Sequence, residues 1–186
     1  MDGVRLIIIT VPPPAVQAEI AELRAICSGV SRSYAAAAYP PHVTLRTGVI
    51  VPKEELGIFL DGFGGLLGGV RPFEIRTGEI LFRTIPRDHG VVPIVALEIE
   101  PSAELVSLNA RLLRYAPYRA SERTGFWPHL TLAFQDLTPV GLRRLENHLS
   151  TREELRSRRF SWSCDNVSLY RRCGSRWQPH QIYKLA

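Results

Sequence analysis

The sequence predicts an α+β fold in which a β-α-β-α-β unit occurs twice, with the two copies related by a pseudo-two-fold axis. Two antiparallel-rich sheets are expected to flank a central cleft, with the helices outside. Two observations carry this expectation. Pro41-His42-Val43-Thr44-Leu45 and Pro128-His129-Leu130-Thr131-Leu132 are near-identical pentapeptides, 129 − 42 = 87 positions apart. The same offset relates the apolar segments around them. Phe73, Ile75, Ile80 and Phe82 map onto Phe160, Trp162, Val167 and Leu169, and Ile8 maps onto Val95. A repeat of that length marks a duplicated structural unit. It divides the chain, read as one domain over 1–186, into halves of approximately 1–90 and 91–186.

The elements follow in order. Val4–Val11 reads as a buried strand, and Pro12–Pro14 starts a helix over Ala15–Cys27 with Val16, Ile20, Leu23 and Cys27 on one face. Ser28–Pro41 is a loop whose Pro40-Pro41 keep the entry to a His42–Val51 strand extended. A glycine-weakened helix is expected over Lys53–Leu67, then strands over Phe73–Phe82 and Val92–Glu100 around the turn-rich Pro86–Gly90. Ser102 is placed to cap a helix running to Tyr115. A loop over Ala116–Pro128 leads into the His129–Phe134 strand. A helix from about Thr138 to Ser157 and strands over Phe160–Arg171 and Gln181–Leu185 complete the sheet.

The chemistry sits in the pentapeptides. Val and Leu around Thr favour extended backbone, in which side chains alternate between faces. His42 and Thr44 therefore share one face, with Val43 and Leu45 on the other, and His129 and Thr131 repeat this against Leu130 and Leu132. Two such strands brought together at a two-fold axis would set two imidazoles and two hydroxyls across a cleft, a combination suited to phosphoryl chemistry. Arg46 continues the alternation and lines the same cleft if no bulge intervenes; its counterpart is Ala133. Tyr39 and Trp127 stand just before the two motifs, where aromatics at a cleft mouth can stack on bases. Tyr170 and Arg172, two apart on the last long strand, are further candidates to reach the cleft. His89, His148 and His180 have no partner motifs.

Composition narrows the class. The chain has 186 residues, 45% of them hydrophobic, enough for one sizeable core or two small lobes. No apolar run approaches a membrane span, and Met1-Asp2 lacks the basic start of a secretory signal. Cys27, Cys164 and Cys173 are scattered and odd in number, which argues against a disulfide framework and for a reduced, cytoplasmic setting. Cys164, Cys173 and His180 match no standard zinc spacing, and neither a P-loop nor a carboxylate metal cluster is present. The net charge of +5 favours polyanionic partners, and of 23 basic residues all but Lys53 and Lys184 are Arg, whose planar fork suits phosphate. The run Arg152–Arg159 is interleaved with Glu153 and Glu154 and reads as a solvated helix end.

The paired His-x-Thr motifs in repeat context resemble the two-histidine (2H) phosphoesterase superfamily, in particular its 2′-5′ RNA ligase-like and cyclic phosphodiesterase branch, over nearly the whole chain. Phe134 stands where ligase-like members often carry Arg, and Arg46-Thr47-Gly48 follows the first motif in place of an aromatic and Gly. The resemblance implies a metal-independent phosphodiesterase with no cofactor, His42 and His129 as acid and base, and Thr44 and Thr131 as phosphate donors. It implies an RNA or nucleotide substrate whose 2′,3′-cyclic phosphate opens to a 2′-phosphate, with 2′-5′ ligation as the reverse reaction, on a monomer away from membranes. Near-symmetry of the motifs leaves the two roles open; the resemblance favours His129 as base and His42 as acid. Alternative readings are cleavage of 2′-5′ oligonucleotides or a small cyclic nucleotide, and an RNA- or nucleotide-binding protein without turnover.

Overall fold

The architecture comes from a computed structural model, described here for residues 3–87, 90–115 and 125–186. His89 and most of the loop expected over Ala116–Pro128 lie outside the described residues. The strands are β1 (Gly3–Thr10), β2 (Val43–Pro52), β3 (Phe73–Arg87), β4 (Gly90–Ile99), β5 (His129–Ala133), β6 (Ser161–Cys164), β7 (Asn166–Cys173) and β8 (Arg176–Lys184). The helices are α1 (Pro14–Ser31), α2 (Leu56–Leu67), α3 (Ala103–Tyr115), α4 (Pro139–Ser150) and the single turn α5 (Glu153–Arg156).

All strand pairs are antiparallel, in the order β6-β3-β4-β5-β2-β1-β7-β8. The two expected sheets are the two four-stranded halves of this curled array, and β2 meets β5 where Val43 faces Leu130. Those two residues are equivalents under the 87-residue offset, so the pseudo-two-fold axis passes between them. The ladders on either side keep the same correspondence. Ile9 faces Thr44 and Thr10 faces Val43, while Ala96 faces Thr131 and Leu97 faces Leu130. Ile8 faces Leu169, and Phe82 faces Val95. Even the irregularities repeat: register slips between Ile8 and Ile9 and between Val95 and Ala96, so Arg46 and Ala133 lie beyond matching bulges.

The core lies between one face of this sheet and the helices. Leu6, Val43, Leu45, Leu97, Leu130 and Leu132 are buried there against Leu23, Phe63 and Leu108. The opposite, concave face holds the cleft, floored by the buried Ile9 and Ile94.

Several boundaries differ from expectation. Helix α1 runs through Ser31 and stops where Arg32 adopts φ 62°, its N–H donating to Ser28 O; a 3₁₀ turn, Ala35–Ala38, occupies part of the expected loop. The helix expected to Ser157 breaks after Ser150, because the Ser150 and Thr151 hydroxyls turn back onto the carbonyls of Asn147 and His148 and Arg152 leaves helical geometry. The expected Phe160–Arg171 strand is interrupted at Asp165, so β6 pairs with β3 while β7 pairs with β1. Thr138 and Ser102 cap their helices, accepting from Gly141 N and Leu105 N.

Candidate active site

The cleft encloses a cavity of about 510 Å³ at the junction of the two half-sheets. His42, Thr44, His129 and Thr131 all line it, together with Arg46, Tyr39, Trp127 and Tyr170. With Val43 opposite Leu130, the antiparallel register sets His42 across from Thr131 and Thr44 across from His129. A cation on His42 feels His129 directly, as expected of neighbours in one site.

The two histidines are held alike. His42 Nδ1 lies 2.8 Å from Pro40 O, and His129 Nδ1 lies 2.9 Å from Trp127 O. A carbonyl only accepts, so each Nδ1 carries a hydrogen and donates it. In the neutral ring the titrating lone pair is then on Nε2. The Pro-His step makes this contact possible: the carbonyl two residues back is presented by extended backbone ahead of the proline.

The environments of the two rings differ. Burial, opposed by the Pro40 hydrogen bond and reinforced by the Arg24 cation and His129, lowers the His42 pKa from 6.5 to about 4. Arg24 is nearly inaccessible, at 3% exposure, and its Nε and Nη1 donate to Thr131 O (2.9 Å) and Tyr39 O (2.8 Å). It thus ties the second motif's strand to the approach of the first. Burial pulls its pKa down to about 10, which leaves it charged at neutral pH. On the other side, the Trp127 ring stacks on the His129 imidazole, with centroids 4.1 Å apart and planes at 22°, and the Arg83 guanidinium lies 4.7 Å from the same indole. Trp127 is therefore already engaged with His129 and Arg83.

Arg46 reaches the cavity despite the bulge, and its buried Nε has no hydrogen-bond partner among the described residues. Desolvation lowers its pKa. Arg172 does not line the cavity: its Nε donates to Gly174 O (3.1 Å) and its guanidinium lies 5.7 Å from the Trp177 ring. The β7–β8 turn draws it away from the motifs. His180 lies on β8, away from the cavity, with its buried Nε2 unpartnered among the described residues.

Four contributors escaped the sequence reading. Arg24 follows Ile20 by four positions on the buried stripe of α1, and a charge on an apolar stripe was its available signal. Asn109 is the same case on α3: among Leu105, Leu108 and Leu112, it donates to Leu45 O at 2.7 Å and satisfies the bulge. Asp136 accepts from Ser33 Oγ (2.6 Å), Tyr34 N (2.8 Å) and Ala35 N (3.1 Å), pinning the loop that approaches His42 to the loop leaving β5. Burial raises its pKa, but these hydrogen bonds outweigh it and hold the carboxyl below its usual range. Trp177 lines the cavity from β8, and nothing in its local pattern announced that.

Among the described residues, no helix is long and apolar enough to cross a membrane, and no three His, Cys, Asp or Glu side chains cluster to hold a metal.

Solved structures of other proteins share this fold. Escherichia coli LigT, solved with 3′-AMP, superposes with a TM-score of 0.63 at 19% identity, covering 99% of each chain. TT0787 of Thermus thermophilus gives 0.66 at 17% identity over 97% of each chain, and Kluyveromyces marxianus Usb1 gives 0.58 at 14% identity over 97% of each chain. At these identities the likeness is one of fold. No curated protein matches the chain by sequence. The model of the 2′-5′ RNA ligase superfamily matches residues 12–176, which include both His-x-Thr motifs and strands β2 to β7. The chain belongs to that superfamily, the 2H phosphoesterases.

Proposed function

We propose that this protein hydrolyses 2′,3′-cyclic phosphate ends of RNA or nucleotides to 2′-phosphates. The observation that carries the reading is the pair of imidazoles in one cavity, each with Nδ1 committed to a carbonyl and each beside a Thr hydroxyl. Water attacks phosphorus as one Nε2 takes its proton. The P–O3′ bond breaks, and the second imidazolium protonates the departing 3′ oxygen. Thr44 and Thr131 donate to the non-bridging oxygens as their charge grows. A 5′-hydroxyl in place of water would form a 2′-5′ linkage by the same steps.

The environments favour His42 as base and His129 as acid, the reverse of the assignment drawn from the resemblance. With a pKa of about 4, only about one His42 in 10³ carries a proton at pH 7, so an acid role would idle nearly every molecule. The buried Arg24 cation is one of the causes of that lowered value.

Incubation with 2′,3′-cyclic, 2′-5′-linked and 3′-5′-linked substrates in EDTA tests the reading. Release of nucleoside 2′-phosphate from the cyclic substrate, lost in His42→Ala and in His129→Ala, is expected. Turnover of 2′-5′ linkages alone would replace this substrate assignment, and activity that EDTA abolishes and one divalent ion restores would replace the mechanism.

A further inference from the structure

The two halves of the sheet are alike in fold and unlike in charge. Strands β1, β2, β7 and β8 carry Arg5, Arg46, Arg171, Arg172, Arg176 and Lys184, with no acidic residue. Strands β3 to β6 carry Glu74, Glu79 and Glu98 against Arg76, Arg83 and Arg87.

Much of the excess lies on the cleft face. Ile7 and Ile9 line the cavity, so strand alternation puts Arg5 on that same face, one step further out. Ile7 faces Tyr170 and Leu6 faces Arg171, and the next step of that register brings Arg5 opposite Arg172. The equivalent positions on the other side are Val92 and Ile85, which face each other. Arg46 likewise corresponds to Ala133, and Trp177 faces Arg172 on the neighbouring strand. The β1, β2, β7 and β8 side of the cleft thus continues outward as Arg46, Arg5 and Arg172 interleaved with Tyr170 and Trp177, where the other side offers Ala133, Val92 and Ile85.

Like charges opposite one another across strands are destabilising. Among the described residues, Arg5, Arg46 and Arg172 have no carboxylate partner. A surface that keeps such a pair uncompensated fits a polyanion with flat bases between its charges.

We propose that this basic, aromatic face of β1, β2, β7 and β8 is a one-sided track for a single-stranded RNA whose 3′ end reacts in the cleft. This rests on the reading above for where the reacting end lies. A 2′,3′-cyclic phosphate closes the 3′ end of a strand, so the chain leaves the site in one direction only, and a track on one side of the axis is what such a substrate requires. The bases stack at Tyr170 and Trp177, and phosphates upstream of the reacting nucleotide meet Arg46, Arg5 and Arg172.

Binding tests this without turnover. Fluorescence anisotropy compares a 5′-labelled hexaribonucleotide ending in a 2′-phosphate with unlabelled nucleoside 2′-phosphate as competitor. The hexamer is expected to bind at least about tenfold tighter near 50 mM salt, with log K falling against log salt at a slope of about −2 for three phosphate contacts. Arg5→Gln should bring the slope closer to zero by about 0.7 and weaken the hexamer several-fold, while mononucleotide turnover is unchanged. Equal affinity for hexamer and mononucleotide, or a slope that Arg5→Gln leaves intact, would overturn the track. Loss of cyclic-phosphate turnover with hexamer binding intact would instead count against the catalytic reading alone.

Discussion

The depressed pKa of His42 makes a prediction about stability as well as catalysis. The group titrates near 6.5 when unfolded and at about 4 when folded. Between those values the unfolded chain binds a proton that the folded protein refuses, so stability falls as pH drops through the window and is unaffected above it. For pKa values of 6.5 and 4, the linkage gives a loss of about 2 kcal/mol at pH 5 and about 3 kcal/mol at pH 4 relative to pH 7. Asp136 and Asp165, whose carboxyls are held low, also lose stability in acid, so the informative quantity is a difference. His42→Asn retains a side-chain amide able to donate to Pro40 O and does not titrate. Urea denaturation of parent and variant at pH 7, 5 and 4 should show the parent losing about 2 and then about 3 kcal/mol more than the variant. Parallel losses would mean that His42 titrates normally in the folded protein. The argument for it as base would then fall. In the same pH series, kcat/KM should keep its acidic limb near 4 if His42 is the base.

Thr44→Val and Thr131→Val should each lower kcat by about 10²-fold, as expected for a donor aimed at developing charge; steady-state kinetics on a cyclic nucleotide checks this, and unchanged rates would remove the hydroxyls from the reaction. Arg24→Met strips donors from Thr131 O and Tyr39 O, so chemical denaturation should show a loss of about 2–4 kcal/mol. A loss within error would mean that the guanidinium does not tie the motifs together. Gly141→Ala would set a Cβ 2.5 Å from Ser31 O where α4 crosses α1, and should lower the melting temperature through about 1–3 kcal/mol of overpacking; an unchanged melting temperature would show that the two helices part without cost.

Periodicity made the fold legible because it is a local property. Alternation in the pentapeptides sent Val43, Leu45, Leu130 and Leu132 into the core, and the shared offset predicted that equivalent strands would meet. The continuity of the sheet at Val43 and Leu130 was not readable, because one backbone pairing across the axis leaves no trace in side-chain pattern. The break at Asp165 escaped for a related reason: β6 and β7 have compatible apolar patterns and differ in which neighbour they pair with, a long-range choice. Within the site, the motif residues were visible through repetition. Arg24 and Asn109 act through side-chain donors aimed at carbonyls on distant strands, so their importance arises only once helix and sheet are packed.

The pairing of Val43 with Leu130 has a consequence for what one half could be alone. Residues that are each other's equivalents meet at the axis, as they do in an isologous interface between identical subunits. The copies also exchange strands, β7 of one pairing β1 of the other and β3 pairing β4, so two identical copies joined in this way would form a symmetric dimer with one cleft. In that dimer the two imidazoles would be interchangeable, and neither could be tuned as acid without tuning the other. Covalent linkage of the copies removes the constraint. Arg24 can press on one histidine and Trp127 on the other, and arginines can gather along one flank, because no symmetry operator repeats the change across the cleft.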